Sequence, residues 1–327
     1  MRCFWDERQR AHTPQTEFFN GALHPAADTV DRVDSILTAI GPTETPAHRA
    51  EDELLELLGR VHDPDYLDLL RTAYDEWQAT GRSGDVLPYA FPVHRGPRQL
   101  TRIDARLGAH AYDTCAPITA GTWSALLAAC GTLLGGLDAV LGGEHAFALT
   151  RPPGHHAGPD YMGGYSYLNW AAIAAVVSGR RAAILDLDYH HGNGTQDIVR
   201  GREGIAFASL HADPATDYPF FWGHAEESGG NILNRSLPRG TAFAAYDKAL
   251  AETLEWLAAD RPELLIVSFG ADTFVDDPIS YFALETADYA RLATRIGRLG
   301  VPTLTVLEGG YAVDALGANV ASFLGGL

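Results

Sequence analysis

Arg181-Ala182-Ala183-Ile184-Leu185-Asp186-Leu187-Asp188-Tyr189-His190-His191-Gly192-Asn193-Gly194 is the stretch on which the reading of this chain turns. Residues 181–188 are a short apolar run of the kind that forms a fully buried strand, and it ends abruptly in carboxylates and imidazoles. Similar runs recur on the carboxyl side: residues 205–211, 264–269 and 303–308 read as strands, and 145–150 precedes them as another. Between them lie longer patterns with helical spacing, over 167–177, 242–259, 286–299 and 313–324. This alternation predicts an α/β fold with a mostly parallel central sheet and helices on both faces. The whole chain, 1–327, reads as a single domain.

In sheets of this type ligands bind beyond the carboxyl ends of the strands. The unusual residues gather at those ends: Asp186, Asp188, His190 and His191 after one, His211 on another, Asp272 after a third, and Glu308-Gly309-Gly310-Tyr311 after the last. Packing alone does not require polar residues at four strand ends. Two stretches, 82–102 and 212–239, read as long loops, which in a compact domain are usually functional or flexible. The second carries Tyr218, Phe220, Phe221 and Trp222, either as a channel lining or as the core of the loop.

Composition narrows the class. Of 327 residues, 46% are hydrophobic and 20% charged, so an ordinary core is available. Cys3, Cys115 and Cys130 are odd in number and lack CxxC spacing, as expected of reduced thiols in a cytoplasmic protein. The start, Met1 to Glu7, has no signal-peptide run, and the apolar stretches 126–141 and 171–177 are too short, or too broken by Gly and Asp, to span a membrane. The 24 Lys and Arg against 42 Asp and Glu leave a net charge of −18. That argues against nucleic acid as a partner. It serves solubility, and it would steer a cationic ligand inward.

Three segments carry the chemistry. At a strand end, residues two apart face the same side, so Asp188 and His190 can meet at one point. Carboxylate oxygen and imidazole nitrogen are zinc donors at about 2 Å, and Asp272, reached through Gly270-Ala271, is the best third ligand. Three protein ligands leave a position open, the pattern of a catalytic site. The second segment is Arg151-Pro152-Pro153-Gly154-His155-His156-Ala157-Gly158. One of its imidazoles, bonded to a carboxylate such as Asp186, would be held cationic, and the other would shuttle a proton. In the third, Gly309-Gly310 lets the backbone approach closely, and the Tyr311 hydroxyl would donate to an acyl oxygen as charge develops on it. Each segment alone has a bland reading as a bonded loop, a surface pair or a turn; together they do not.

In this order and spacing, residues 151–158, 186–196, 268–280 and 308–311 resemble the signature segments of the histone deacetylase superfamily, which shares the three-layer arginase/deacetylase fold. Phe91-Pro92-Val93, Gly121-Thr122-Trp123, residues 210–214 and Asp277-Pro278-Ile279-Ser280 are most similar to its bacterial acetylpolyamine amidohydrolases. The resemblance implies a zinc-dependent deacetylase acting on an acetylpolyamine or related small cationic amine. Acetyl-lysine in proteins, or an acetylated secondary metabolite, would be the alternative substrate. It implies zinc, with iron(II) as a substitute, on Asp188, His190 and Asp272. His156 would be the general base, His155 with Asp186 its electrostatic partner, Asn193 the residue orienting His156, and Tyr311 the carbonyl polariser. Gly164, Tyr165, Phe220 or Phe221, and Ile279 would contact substrate. A structural potassium or sodium ion would bind Asp186, Asp188, His190, Ser209 and Leu210, and a second would bind near Val199, Arg202 and Ile205. The loop 82–102 would help form a homodimer.

In one position the chain departs from the polyamine-specific pattern: Cys115 stands where a glutamate contacts the substrate's distal ammonium, with Asp104 and Asp113 as possible replacements. Two rivals complete the reading. A two-manganese ureohydrolase would need carboxylates where this chain has Gly192 and Gly270. A non-catalytic acyl-ligand-binding relative would need a broken set of residues, and the set here is whole.

Overall fold

The computed structural model describes residues 1–19, 21–93 and 100–327. The strands among these described residues are β1 (Arg2–Phe4), β2 (Thr16–Phe19), β3 (Ala22–Pro25), β4 (Ala146–Ala148), β5 (Ala182–Asp186), β6 (Ile205–Ala212), β7 (Ile232–Leu237), β8 (Leu264–Phe269) and β9 (Thr303–Leu307). Seven of them form one sheet in the order β1-β4-β9-β8-β5-β6-β7, and every pairing in it is parallel. The strands β4, β5, β6, β8 and β9 are buried along their whole length, which is why they appear in sequence as continuous apolar runs rather than as alternation. Helices cover both faces. One buried cluster gathers Leu133, Leu137, Trp170, Ile173, Ile184 and Ile266; the opposite one gathers Val33, Leu254, Val267, Leu292, Val320 and Phe323. The α/β architecture expected from the alternation is the one observed.

Strand order explains where a site can form. The chain moves from β5 outward through β6 to β7, then returns across β5 to place β8 and β9 on its other side. The order therefore reverses between β5 and β8, and the loops leaving these two strands diverge and open a crevice at their carboxyl ends. Asp188 and His190 follow β5, and Asp272 follows β8.

Three expectations change. Residues 212–239 are not all loop: Ile232–Leu237 form β7, paired with β6 from Phe207 to Ala212. This edge strand is only half buried and carries Asn, Arg and Ser, so it lacks the apolar density of the central strands. The stretch 126–141 is not broken by its glycines either. It belongs to a continuous helix, Thr122–Leu141, long and apolar enough by length and composition to cross a membrane, yet largely buried against the sheet. Gly135 and Gly136 are packing positions in it, since a Cβ there would press on Phe4 and on Leu304. Finally, β2 and β3 pair as an antiparallel hairpin, Thr16 opposite Pro25, that escaped the sequence reading.

Candidate active site

At the crevice, the donor atoms of Asp188, His190 and Asp272 lie within 4.8 Å of one another. His190 Nδ1 stands 3.2 Å from Asp188 Oδ1 and 3.1 Å from Asp272 Oδ2. Backbone donors fix both carboxylates: Gly309 N–H reaches Asp188 Oδ2 at 2.8 Å, and Tyr189 N–H reaches Asp272 Oδ1 at 2.9 Å. Burial, and then the charge of Asp188, push Asp272 up to about 7. Burial opposes a charge on His190, but its bonds to Asp188 and Asp272 win and raise it to about 10. Two buried carboxylates that hold a positive charge between them are what a divalent ion would satisfy, and O, N, O is a donor set that zinc accepts. The residues fit a single metal ion.

The same crowding rejects a two-metal centre. A Cβ on Gly192 would lie 2.1 Å from Asp186 Oδ2, and one on Gly270 would lie 2.0 Å from Asp188 Oδ2. Neither position can bear the extra carboxylate that a bridged pair needs.

His155 and His156 lie side by side, ring centroids 4.0 Å apart, in very different surroundings. His155 Nδ1 donates to Asp186 Oδ2 at 3.0 Å. Burial disfavours its charge, but Asp188, Asp186 and Glu308 outweigh burial and raise it to about 10. His156 Nδ1 donates to Asn193 Oδ1 at 2.7 Å, an uncharged partner. Burial, and then the His155 charge, lower His156 well below its ordinary value. One imidazole is thus held cationic and the other neutral, with Nε2 of His156 left unprotonated. Such a divergence is how a pair of titratable groups divides its roles.

Tyr311 follows Gly309-Gly310 after β9. A Cβ on Gly309 would fall within 2.6 Å of Asp188 Oδ2 and 2.7 Å of Asp272 Oδ2, and Gly310 has φ +121°. Only glycine lets this backbone skirt the carboxylates and turn the next side chain inward. Tyr311 N–H donates to Asp277 Oδ2 at 2.7 Å. Arg32, fully buried, donates to Gly310 O at 2.7 Å, to Glu308 O at 2.6 Å and to Asp28 Oδ1 at 2.6 Å, and its guanidinium lies 4.9 Å from the Tyr311 ring centroid. Burial keeps the Tyr311 phenol protonated, with its pKa well above the ordinary value.

Several residues that hold this arrangement had been given no role from the sequence. Glu308 accepts Gly154 N–H at 2.7 Å, His155 N–H at 3.0 Å and Ser268 Oγ–H at 3.0 Å, so it anchors the histidine loop. His62 donates from Nδ1 to Gly158 O at 2.9 Å and accepts Asn169 N–H on Nε2 at 3.0 Å. Glu17, on the hairpin strand β2, is buried; its Oε1 accepts the Tyr165 hydroxyl at 3.1 Å, while Oε2 makes no hydrogen bond among the described residues. Tyr165 in turn packs 5.5 Å from Tyr311. No local pattern marks His62, Glu17 or Arg32; a buried Arg32 in an amphipathic helix reads as a surface arginine.

Other expected contacts are redistributed. Asp104 is tied to Arg82 and Arg102, which hold it down to about 2, and it has no oxygen to spare for a ligand. Asp113 is committed to Cys115 N–H, Gly164 N–H and the Tyr218 hydroxyl. The aromatic wall is Tyr218, 5.1 Å from the His156 ring and 5.9 Å from that of His190. Phe220 and Phe221 are 50% and 78% exposed, because the turn closed by Phe220 N–H on Asp217 O directs residue 218 inward and the next residues outward. Ile279 is half-buried beside the Tyr311 anchor, its N–H on Asp277 Oδ1. Asp186 and Ser209 are direct register partners on β5 and β6, and Leu210 follows, all fully buried. His211 faces Ser209 and Gly223 O and stands outside the Asp188, His190 and Asp272 group. At the second expected cation position, Asn231 Nδ2 donates to Val199 O and Ile205 O at 2.7 Å each and to Arg202 O at 3.4 Å. Of the expected interface loop, residues 94–99 lie outside the described residues.

The family profile described as histone deacetylase domain matches residues 26–327. Acetylpolyamine amidohydrolase 1 of Pseudomonas aeruginosa is 42% identical over 344 aligned residues, spanning 100% of this chain and 98% of that protein. The acetylpolyamine amidohydrolase of Mycoplana ramosa is 40% identical, spanning 100% and 99%. Among solved structures, the acetylpolyamine aminohydrolase of Burkholderia pseudomallei superposes with a TM-score of 0.94 at 34% identity, spanning 100% of this chain and 98% of that one.

Proposed function

Because the chain belongs to the histone deacetylase family, we propose that it hydrolyses the amide of an acetylated amine, an acetylpolyamine or a related small cation. The observation that carries this reading is the pair of unequal imidazoles beside the group of Asp188, His190 and Asp272. These three residues would hold zinc, which would polarise the acyl carbonyl and acidify water at the site.

The chain's own groups supply the rest. His156 Nε2, kept free by the Asn193 bond on Nδ1, takes the proton of the attacking water. The same nitrogen then returns it to the leaving amine, which departs neutral and protonates in solvent. His155 remains cationic throughout, paired with Asp186, and favours the negative charge that builds on the carbonyl oxygen. Tyr311 donates its hydroxyl to that oxygen, and Asp277 and Arg32 keep its backbone and ring in place. A structural monovalent cation would suit the oxygen-rich pairing of Asp186 with Ser209, supplemented by main-chain carbonyls of Asp188, His190 and Leu210.

A cationic substrate is supported by the net charge of −18. Steady-state hydrolysis of N-acetyl-1,4-diaminobutane by purified protein tests the proposal, together with metal analysis of the same sample. Turnover that a chelator abolishes and zinc restores is expected, with a single divalent ion per chain. Absence of turnover on acetylated diamines and on acetyl-lysine peptides alike would reject it.

A further inference from the structure

Asp28, between β3 and the helix Val30–Ile40, is buried, and so are the two guanidinium groups that meet on it. Its Oδ1 accepts Arg32 Nη1–H at 2.6 Å and Arg151 Nε–H at 3.1 Å. Burial opposes a charge on Asp28, but Arg151 and Arg32 outweigh burial and hold the carboxyl below its ordinary value. His12, whose Nε2 lies 3.8 Å from Asp28 Oδ2, adds no charge, because burial lowers it to about 3. A single carboxylate therefore stands between two buried cations.

Those cations belong to the two loops that carry the chemistry. Arg151 opens the histidine loop, its N–H on Gln9 Oε1 at 2.7 Å and its Nη1 on His12 O at 2.9 Å. Arg32 grips the tyrosine loop, with Nε on Gly310 O and Nη2 on Glu308 O. Glycine at 309 and 310 permits the close approach to Asp188 and Asp272, but it leaves the backbone free to take other conformations. The Arg32 fork removes that freedom, and Asp28 sets the direction of the fork through Nη1. Without the negative charge, two guanidinium groups that share one oxygen would face each other unpaired, which is costly away from water. Arg32 would draw off Arg151 and lose its angle to the two carbonyls.

We propose that Asp28 is a positioning residue for Tyr311: by neutralising Arg32 and Arg151 together, it fixes the tyrosine loop against the histidine loop and so aims the Tyr311 hydroxyl at the reacting carbonyl. The inference rests on the deacetylase reading and adds to it a residue that acts only through others.

The test makes Asp28→Asn in the wild-type and Tyr311→Phe backgrounds. With N-acetyl-1,4-diaminobutane, Asp28→Asn should lower kcat about tenfold and leave KM within about twofold, as expected when a group that acts in the transition state is misplaced. In the Tyr311→Phe background the same change should alter kcat by less than about twofold, because the hydroxyl that Asp28 aims is already gone. Amide hydrogen exchange at 308–312 should also rise in Asp28→Asn through local opening of the loop. Equal losses of kcat in the two backgrounds would overturn the proposal. So would faster exchange confined to β5 and β8, which reports lower global stability alone and would leave Asp28 a merely structural residue. Should Asp28→Asn not fold, Arg32→Lys takes its place with the same outcomes for and against, since it keeps a cation on Asp28 but lacks the planar fork for two carbonyls. If wild type turns over no acetylated amine, the deacetylase reading fails by itself, and exchange at 308–312 then decides whether Asp28 positions Tyr311.

Discussion

Asn193 Oδ1 lies 2.7 Å from Nδ1 of His156, and this one uncharged acceptor decides which nitrogen of the ring is free. A carboxylate in its place, like Asp186 beside His155, would favour the imidazolium instead. Asn193→Asp should therefore lower kcat/KM at pH 7 by roughly tenfold or more and move the acid limb of the pH profile to higher pH. A profile that keeps its wild-type acid limb would mean that His156 is not the base.

Tyr311→Phe removes one hydroxyl and leaves the ring against Arg32. The expected loss in kcat is on the order of 10²–10³-fold, that of a donor to a developing oxyanion, with little change in metal content. Asp277→Asn should reproduce part of this loss, because Asp277 holds the Tyr311 N–H. Near-normal turnover of Tyr311→Phe would remove the residue from the chemistry.

Glu17→Gln keeps the shape of a buried side chain and deletes its charge. If the charge of the buried Glu17 carboxyl attracts the free ammonium of a substrate, KM for N-acetyl-1,4-diaminobutane should rise about tenfold. The KM of an uncharged acetamide of equal length should stay within about twofold, which separates loss of an ionic contact from general damage. Equal increases for both compounds would count against a role for Glu17 in charge recognition.

His62 is buried with one ring nitrogen donating to Gly158 O and the other accepting from Asn169 N–H, so only the neutral ring satisfies both. Burial lowers its pKa to about 4, against about 6.5 in the unfolded chain. Both states are neutral at higher pH; below 6.5 the unfolded chain takes a proton that the folded one refuses. His62 should thus cost about 1.4 kcal/mol of stability per pH unit as pH falls from 6.5 towards 4, and nothing above 6.5. Denaturant titrations of wild type and His62→Gln across that window should show a shallower slope for the variant. Parallel slopes would contradict the buried neutral ring.

Much of the site was legible because it is local. Asp186, Asp188, His190 and Asn193 occupy eight consecutive positions, and the strand period of two, followed by a tight turn, sets where they point. The same holds for Gly309, Gly310 and Tyr311, and for the apolar runs that became β5, β6, β8 and β9. Such features need only steric rules within a few residues, so the order of amino acids alone determined the parallel α/β layout, the closeness of Asp188 to His190 and the paired imidazoles.

What only the tertiary structure decided is which of these side chains still have a bond to offer. Asp104, Asp113 and Glu17 are all acidic residues, yet Asp104 is tied to Arg82 and Arg102, Asp113 to Tyr218 and two amides, and Glu17 to the Tyr165 hydroxyl. Tyr218 faces His156 while Phe220 and Phe221 turn to solvent, and Arg32 reaches Gly310 across 278 residues of chain. A carboxylate or an aromatic ring acquires its role from partners that the fold delivers from distant segments, and a hydrogen bond already made is a property of that meeting rather than of the residue.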